Sequence, residues 1–205
     1  MRVIDLSHKL YDGMPNYPSD PPVSIIKKKY IDSDRSVLHQ INIGTHTGTH
    51  LDVPMHIKKN GKTLSDYNIN SFFGKAIKVT PDNYHLSLNV IELIDVIIFE
   101  TGWYKNYPNP DIYFGKDRPR IPNDLLNICL ENGIKIFGCD LPSIDSSGSK
   151  KKPNHNLLLG NDIIIYESLN NLDKIPVNMI FMFYGFPLSL SRLDGSPVRA
   201  VGIIK

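Results

Sequence analysis

Pro122-Asn-Asp-Leu125-Leu126-Asn-Ile-Cys129-Leu130-Glu-Asn132-Gly133-Ile134-Lys-Ile-Phe-Gly-Cys139 is the stretch whose reading decides the fold. Leu125, Leu126, Cys129 and Leu130 fall on one face of a helix over residues 123–132. Pro122 stands just before it, where a missing N–H does no harm, and Gly133 just after it, where a left-handed turn ends a helix. Residues 134–139 follow as a short apolar run, which reads as a buried strand. A helix feeding a buried strand is the building unit of an α/β protein. Working outward, β-type runs recur at 3–6, 37–43, 76–79, 96–99, 163–166, 179–183 and 198–204, and 90–94 reads as a short helix feeding 96–99. No Gly/Ser linker and no repeat divides them. The expectation is one α/β domain over residues 1–205, with a mixed, strand-rich central sheet and flanking helices. Fifteen prolines imply pinned loops, where functional residues concentrate.

Composition narrows the function classes. A chain of 205 residues buries about 70% of its unfolded surface without staples. Hydrophobic residues at 41% and charged residues at 21% exclude general disorder and collagen-like or coiled-coil chains. A net charge of +2 is not the footprint of a nucleic-acid binder. Lys27–Lys29, Lys58-Lys59 and Lys150–Lys152 lack interleaved aromatics and read as solvated loops. Cys129 and Cys139 form no C-x-x-C pair and read as reduced, buried thiols. No apolar run approaches the roughly 20 residues of a membrane span, and Met1–His8 has no apolar signal core. A cytoplasmic protein with a small-molecule substrate, and neither nucleic acid nor membrane as partner, is expected.

The chemistry concentrates in Gly44-Thr-His46-Thr-Gly48-Thr-His50-Leu-Asp52-Val-Pro54-Met-His56. Gly48, the threonines, Val53 and Pro54 argue against a helix despite the i, i+4 spacing of His46 and His50. A loop leaving the 37–43 strand fits better, and in an extended stretch His50 and Asp52 share a face. Imidazole with carboxylate suits Zn²⁺, Mn²⁺ or Fe²⁺. Such a loop leaves a metal unsaturated. His155, ahead of an apolar run, and Glu167, after the 163–166 strand, are candidates to complete it, and the residues alone leave each open.

The run His46-Thr-Gly-Thr-His50-Leu-Asp52-Val-Pro-Met-His56 resembles the H-x-G-T-H-x-D-x-P-x-H signature of the cyclase family of metal-dependent hydrolases, with the histidine spacing of bacterial kynurenine formamidases. Four further blocks resemble that family in order: Phe99-Glu-Thr-Gly-Trp103; Gly138-Cys-Asp140-Leu-Pro-Ser143-Ile-Asp145; His155 with Glu167-Ser-Leu-Asn-Asn-Leu; and Pro187-Leu with Asp194-Gly-Ser-Pro-Val-Arg199-Ala. The likeness runs from about residue 3 to 203.

Carried over residue by residue, the resemblance implies one metal at His46, His50 and Asp52 and a second at Asp52, His155 and Glu167, zinc first and manganese second. It implies His56 as proton donor and acceptor rather than ligand. It also implies the family's swivelling β/β/α-like fold, a homodimer, and a place in tryptophan catabolism. The activity implied is hydrolysis of an N-formyl aromatic amide by a metal-activated hydroxide, as N-formylkynurenine gives kynurenine and formate. Tyr17, in Pro15-Asn-Tyr17-Pro18-Ser-Asp20, stands where the formylkynurenine-hydrolysing members carry a pocket Trp. The alternatives are a cyclic-amide hydrolase of the isatin hydrolase type and a metal-binding protein without catalysis. Asp140, Ser143 and Asp145 are candidates to orient the ligands or to cap their loop. Asp194-Gly195 reads as a turn, with Arg199 available to a carboxylate.

Overall fold

The structure is a computed structural model that describes residues 1–205, with side chains described for all but 86–88. Among the described residues the strands are β1 (Arg2–Asp5), β2 (Ser24–Lys29), β3 (Leu38–Asn42), β4 (His50–Asp52), β5 (Phe73–Val79), β6 (Val96–Phe99), β7 (Ile136–Cys139), β8 (Ile164–Glu167), β9 (Ile180–Pro187) and β10 (Gly195–Ile204). The α-helices are α1 (Ile31–Asp34), α2 (Pro110–Tyr113), α3 (Asn123–Glu131) and α4 (Pro153–Gly160). Eight strands form one sheet in the order β1-β10-β4-β8-β7-β6-β5-β9, and β9 also pairs with β10, which closes the sheet into a barrel. β5, β6, β7 and β8 run parallel, and β4 is antiparallel to both β8 and β10. The mixed, strand-rich α/β architecture read from the sequence is the observed one.

The period of two in the strands sorts side chains into two cores. Ile97, Phe99, Phe137, Cys139 and Ile165 face a layer that holds Leu125, Leu126 and Cys129 of α3 with Leu158 and Leu159 of α4. Val96, Ile98, Ile136, Ile164, Tyr166, Leu51 and Val53 face the other layer, with Phe181, Phe183 and Ala200. α3 therefore buries the face that its sequence pattern marked. Both cysteines are free and buried. No helix of the described residues is long and apolar enough to cross a membrane.

Three local expectations change. The 37–43 run does form β3, but it pairs only with β2, in a hairpin outside the barrel. Ile41 is accordingly 59% exposed. Lys27–Lys29 lie in β2 and not in a loop, and they remain exposed. The short helix expected at 90–94 is the end of a 3-10 stretch, Tyr84–Leu93.

Just past β1, His8 stacks on Tyr107 with ring centroids 3.6 Å apart, and its Nε2 is buried without a hydrogen-bond partner. Burial pushes its pKa down to about 4. The unfolded chain takes up this proton near pH 6.5 and the folded chain only near pH 4, so stability falls as pH drops through that window. The loss reaches about 3 kcal/mol at most. In thermal melts at pH 7 and pH 4.5, His8→Phe should lose less stability than wild type; equal losses would show that folded His8 takes up its proton as readily as the unfolded chain does.

Candidate metal centre

β4 lies between β8 and β10, and its register brings the ligand types together. His50 sits directly opposite Glu167 of β8, and Asp52 opposite Ile165, so His50, Asp52 and Glu167 share the helix-covered face. Glu167 ends β8 and Asp140 follows β7, so the site lies at the carboxyl ends of parallel strands, the usual place in such sheets. Two glycines permit this packing. Gly48 has φ +62° in the turn between His46 and His50. At Gly195, a Cβ would meet Leu51 O at 2.6 Å and His46 Cε1 at 2.8 Å, so a larger residue would push His46 off β10.

All five residues expected as ligands converge. His46 Nδ1 lies 2.6 Å from Asp52 Oδ1. His50 Nε2 lies 3.5 Å from both Asp52 Oδ1 and Glu167 Oε2. His155 Nε2 lies 3.4 Å from Asp52 Oδ2 and 3.3 Å from Glu167 Oε1. His50, Asp52, His155 and Glu167 are all buried. His155 arrives from the first turn of α4, whose Pro153 occupies the opening position. Ligand atoms of His50, Asp52 and Glu167 lie within 4.8 Å of one another, as do those of His46, Asp52 and His56.

Hydrogen bonds set the ring tautomers. His50 Nδ1 donates to the carbonyl of Gly48 at 2.8 Å, and His155 Nδ1 donates to Asp145 Oδ2 at 2.6 Å. In each neutral ring the Nε2 lone pair then faces the Asp52 and Glu167 carboxylates, an arrangement that needs a positive charge between them. Asp52 Oδ2 is buried with no hydrogen-bond partner. This donor set fits a divalent cation. Without one, protons must supply the charge. Burial opposes a charge on His46, but Asp52 and Asp194 outweigh it and raise its pKa to about 10. Burial would raise Asp52, yet His46, His155 and His50 hold it well below the usual carboxylate range. His155 is raised well above its ordinary value; burial opposes this, and Asp145, Asp52 and Glu167 prevail.

His56 stands at the rim. Its Nε2 accepts from Lys152 Nζ at 3.0 Å, and its Nδ1 lies 3.5 Å from Asp194 Oδ2. Its side chain is 18% exposed, against 6% for His50 and 2% for His155, so it is open to the pocket. That cavity, about 240 Å³, is lined by Tyr17, Ser143 and Lys152 among others. Tyr17 meets Phe114 edge to face at 5.8 Å.

Sequence reasoning missed two residues here. Asp194 was read as a turn residue, yet its Oδ2 lies 2.8 Å from His46 Nε2; the adjoining Gly195 was its signal. Lys152 belonged to a basic run read as a solvated loop and instead lines the pocket. Asp145 orients His155, whereas Asp140 holds the neighbouring loop after β6 by accepting from Thr101 N and Oγ1. Ser143 Oγ accepts from Asp145 N. Arg199 pairs with Asp5, away from the site.

The family described as "Putative cyclase" matches residues 4–146. The chain belongs to this family. It is 32% identical over 204 residues to "Kynurenine formamidase" of Geobacillus thermodenitrificans, covering 96% of this chain and 95% of that one. It is 33% identical over 205 residues, and 100% of both chains, to an uncharacterized protein of Methanocaldococcus jannaschii. Among solved structures, isatin hydrolase A from Ralstonia solanacearum superposes with a TM-score of 0.83 at 20% identity, covering 100% of this chain and 92% of that one. That likeness establishes a shared fold for this cyclase-family chain.

Proposed function

We propose that the protein is a metal-dependent hydrolase that cleaves N-formyl aromatic amides, releasing formate and an aryl amine. The observation that carries this reading is the buried convergence of two imidazole lone pairs and two carboxylates around the unpartnered Asp52 Oδ2. Kinship with a formamidase at 32% identity supports the choice of bond. A pocket of about 240 Å³ suits a small substrate, since sites for drug-sized ligands begin near roughly 300 Å³. The Tyr17–Phe114 edge-to-face pair offers a wall for one aromatic ring.

His46, His50, Asp52, His155 and Glu167 would hold two divalent ions, zinc or manganese. Ions there supply a Lewis acid for the carbonyl and an acidified water near neutral pH. The chain's own residues do the rest. Asp145 and the Gly48 carbonyl fix the ring tautomers of His155 and His50. Lys152 donates to His56 Nε2, which leaves the proton of neutral His56 on Nδ1, toward Asp194. His56 is the group placed to pass a proton to the departing nitrogen, because an amine leaves poorly as an anion.

The test is reconstitution. Chelator-treated protein should release no formate from formanilide or N-formylkynurenine and should regain activity with Zn²⁺ or Mn²⁺. Full turnover in metal-free protein, or none after stoichiometric reloading, would overturn the reading.

A further inference from the structure

Lys152 carries an inference about what the substrate bears. Its backbone sits at φ 41°, ψ 56°, a left-handed conformation that side-chain-bearing residues rarely adopt. The following Pro153 disfavours the helical region for this residue, and its carbonyl accepts from Asn156 N at 3.0 Å and Asn156 Nδ2 at 2.9 Å. The chain thus holds a strained lysine at the turn that also delivers His155. Strain held in place by surrounding bonds is a mark of a functional position.

The side chain is turned into the pocket, with Nζ donating to His56 Nε2 at 3.0 Å. An ammonium has three donors, and this is the one hydrogen bond it makes among the described residues. Lys62, Lys78 and Lys135 each pair with a carboxylate; Lys152 has none within 4.0 Å among the described residues. The other charged groups on the pocket wall, histidines aside, are Asp20, Asp52 and Glu167. Lys152 is the lysine on that wall, and two of its donors are uncommitted among the described residues.

We propose that Lys152 is a specificity-determining residue that binds a carboxylate carried by the aryl ring of the substrate. This deepens the reading above and rests on it. Nζ lies on the pocket wall, held by one hydrogen bond to His56 and with two donors turned to no protein partner among the described residues. The preferred substrate class is therefore an N-formyl aryl amine with a ring carboxylate.

The experiment compares 2-formamidobenzoate, 4-formamidobenzoate and formanilide with metal-loaded wild type, Lys152→Met, Lys152→Gln and Lys152→Arg, after metal content and melting are measured for each. Wild type should prefer one or both formamidobenzoates to formanilide in kcat/KM, and equal turnover of all three would refute carboxylate recognition. In Lys152→Met and Lys152→Gln the ratio of the preferred formamidobenzoate to formanilide should shrink about 10- to 100-fold, the scale of a lost charged hydrogen bond, mainly through KM. Lys152→Arg, which keeps the charge, should retain most of it. An unchanged ratio, with both substrates losing equally, would overturn the proposal and leave Lys152 acting only through His56. If wild type cleaves none of the three, the hydrolase reading fails separately, and calorimetry decides Lys152. Benzoate should then bind metal-loaded wild type more tightly relative to benzamide than it binds Lys152→Met; an equal preference in both proteins would refute anion recognition.

Discussion

Asp52→Ala protein is expected to purify without stoichiometric metal and with kcat/KM lower by roughly 10⁴-fold or more, the scale at which groups that act as a unit fail together. Asp52 is fully buried at the middle of the centre. Oδ1 faces His46 and His50, and Oδ2 faces His155. Glu167 is not free to replace it, because its Oε1 already accepts the backbone N–H of Ile144 at 2.7 Å. Removal would leave His50 and His155 with Glu167 as their one shared carboxylate, too little negative charge to hold the metal. Elemental analysis alongside kinetics checks this. Retention of near-stoichiometric metal with substantial turnover would show that the carboxylate is structural.

The second large effect is at His56. His56→Ala should keep bound metal while kcat falls by roughly 10²–10⁴, the range for lost general acid–base catalysis; His50→Ala should lose metal and activity together. The competing role has a geometric footing, since ligand atoms of His56 fall in one group with His46 and Asp52. One observation favours the acid–base role: both ring nitrogens of His56 face partners at the rim, Lys152 and Asp194, rather than Asp52 or Glu167. Metal content separates the readings: a His56→Ala protein as empty as His50→Ala makes His56 a ligand.

Much of this was legible in the sequence because it rests on local rules. Pro122 and Gly133 bracketed α3 because their backbone preferences do not depend on the rest of the chain. His50 and Asp52 shared a face because any extended segment imposes that. The partners of β3 were not legible, since an apolar run pairs as well in an exposed hairpin as in a barrel and only tertiary contacts choose. Glu167 is the last residue of β8 and not its successor, and the register that sets it opposite His50 depends on a strand more than a hundred residues away. Asp194 and Lys152 were hidden for the same reason. A turn aspartate and a lysine in a basic run look alike wherever they point, and their value lies in where β10 and α4 place them.

The placement of β10 also has a consequence for how the protein comes to be made. This one strand pairs with β4 through Gly195–Pro197, with β9 through Val198–Ile203 and with β1 through Arg2–Asp5 of the far end. It comes last in chain order. An emerging chain that has already exposed His50 must therefore wait for roughly 150 more residues before β4 gains its second neighbour, on the order of ten to thirty seconds of synthesis. Through that interval β4, and β9 once it has been made, carry open edges of the kind that pair with foreign strands. Asp194 and Gly195, which seat His46, are delivered in the same late step. Ion loading thus belongs after closure, and newly made protein should acquire its metal only once residues 195–204 have left the ribosome.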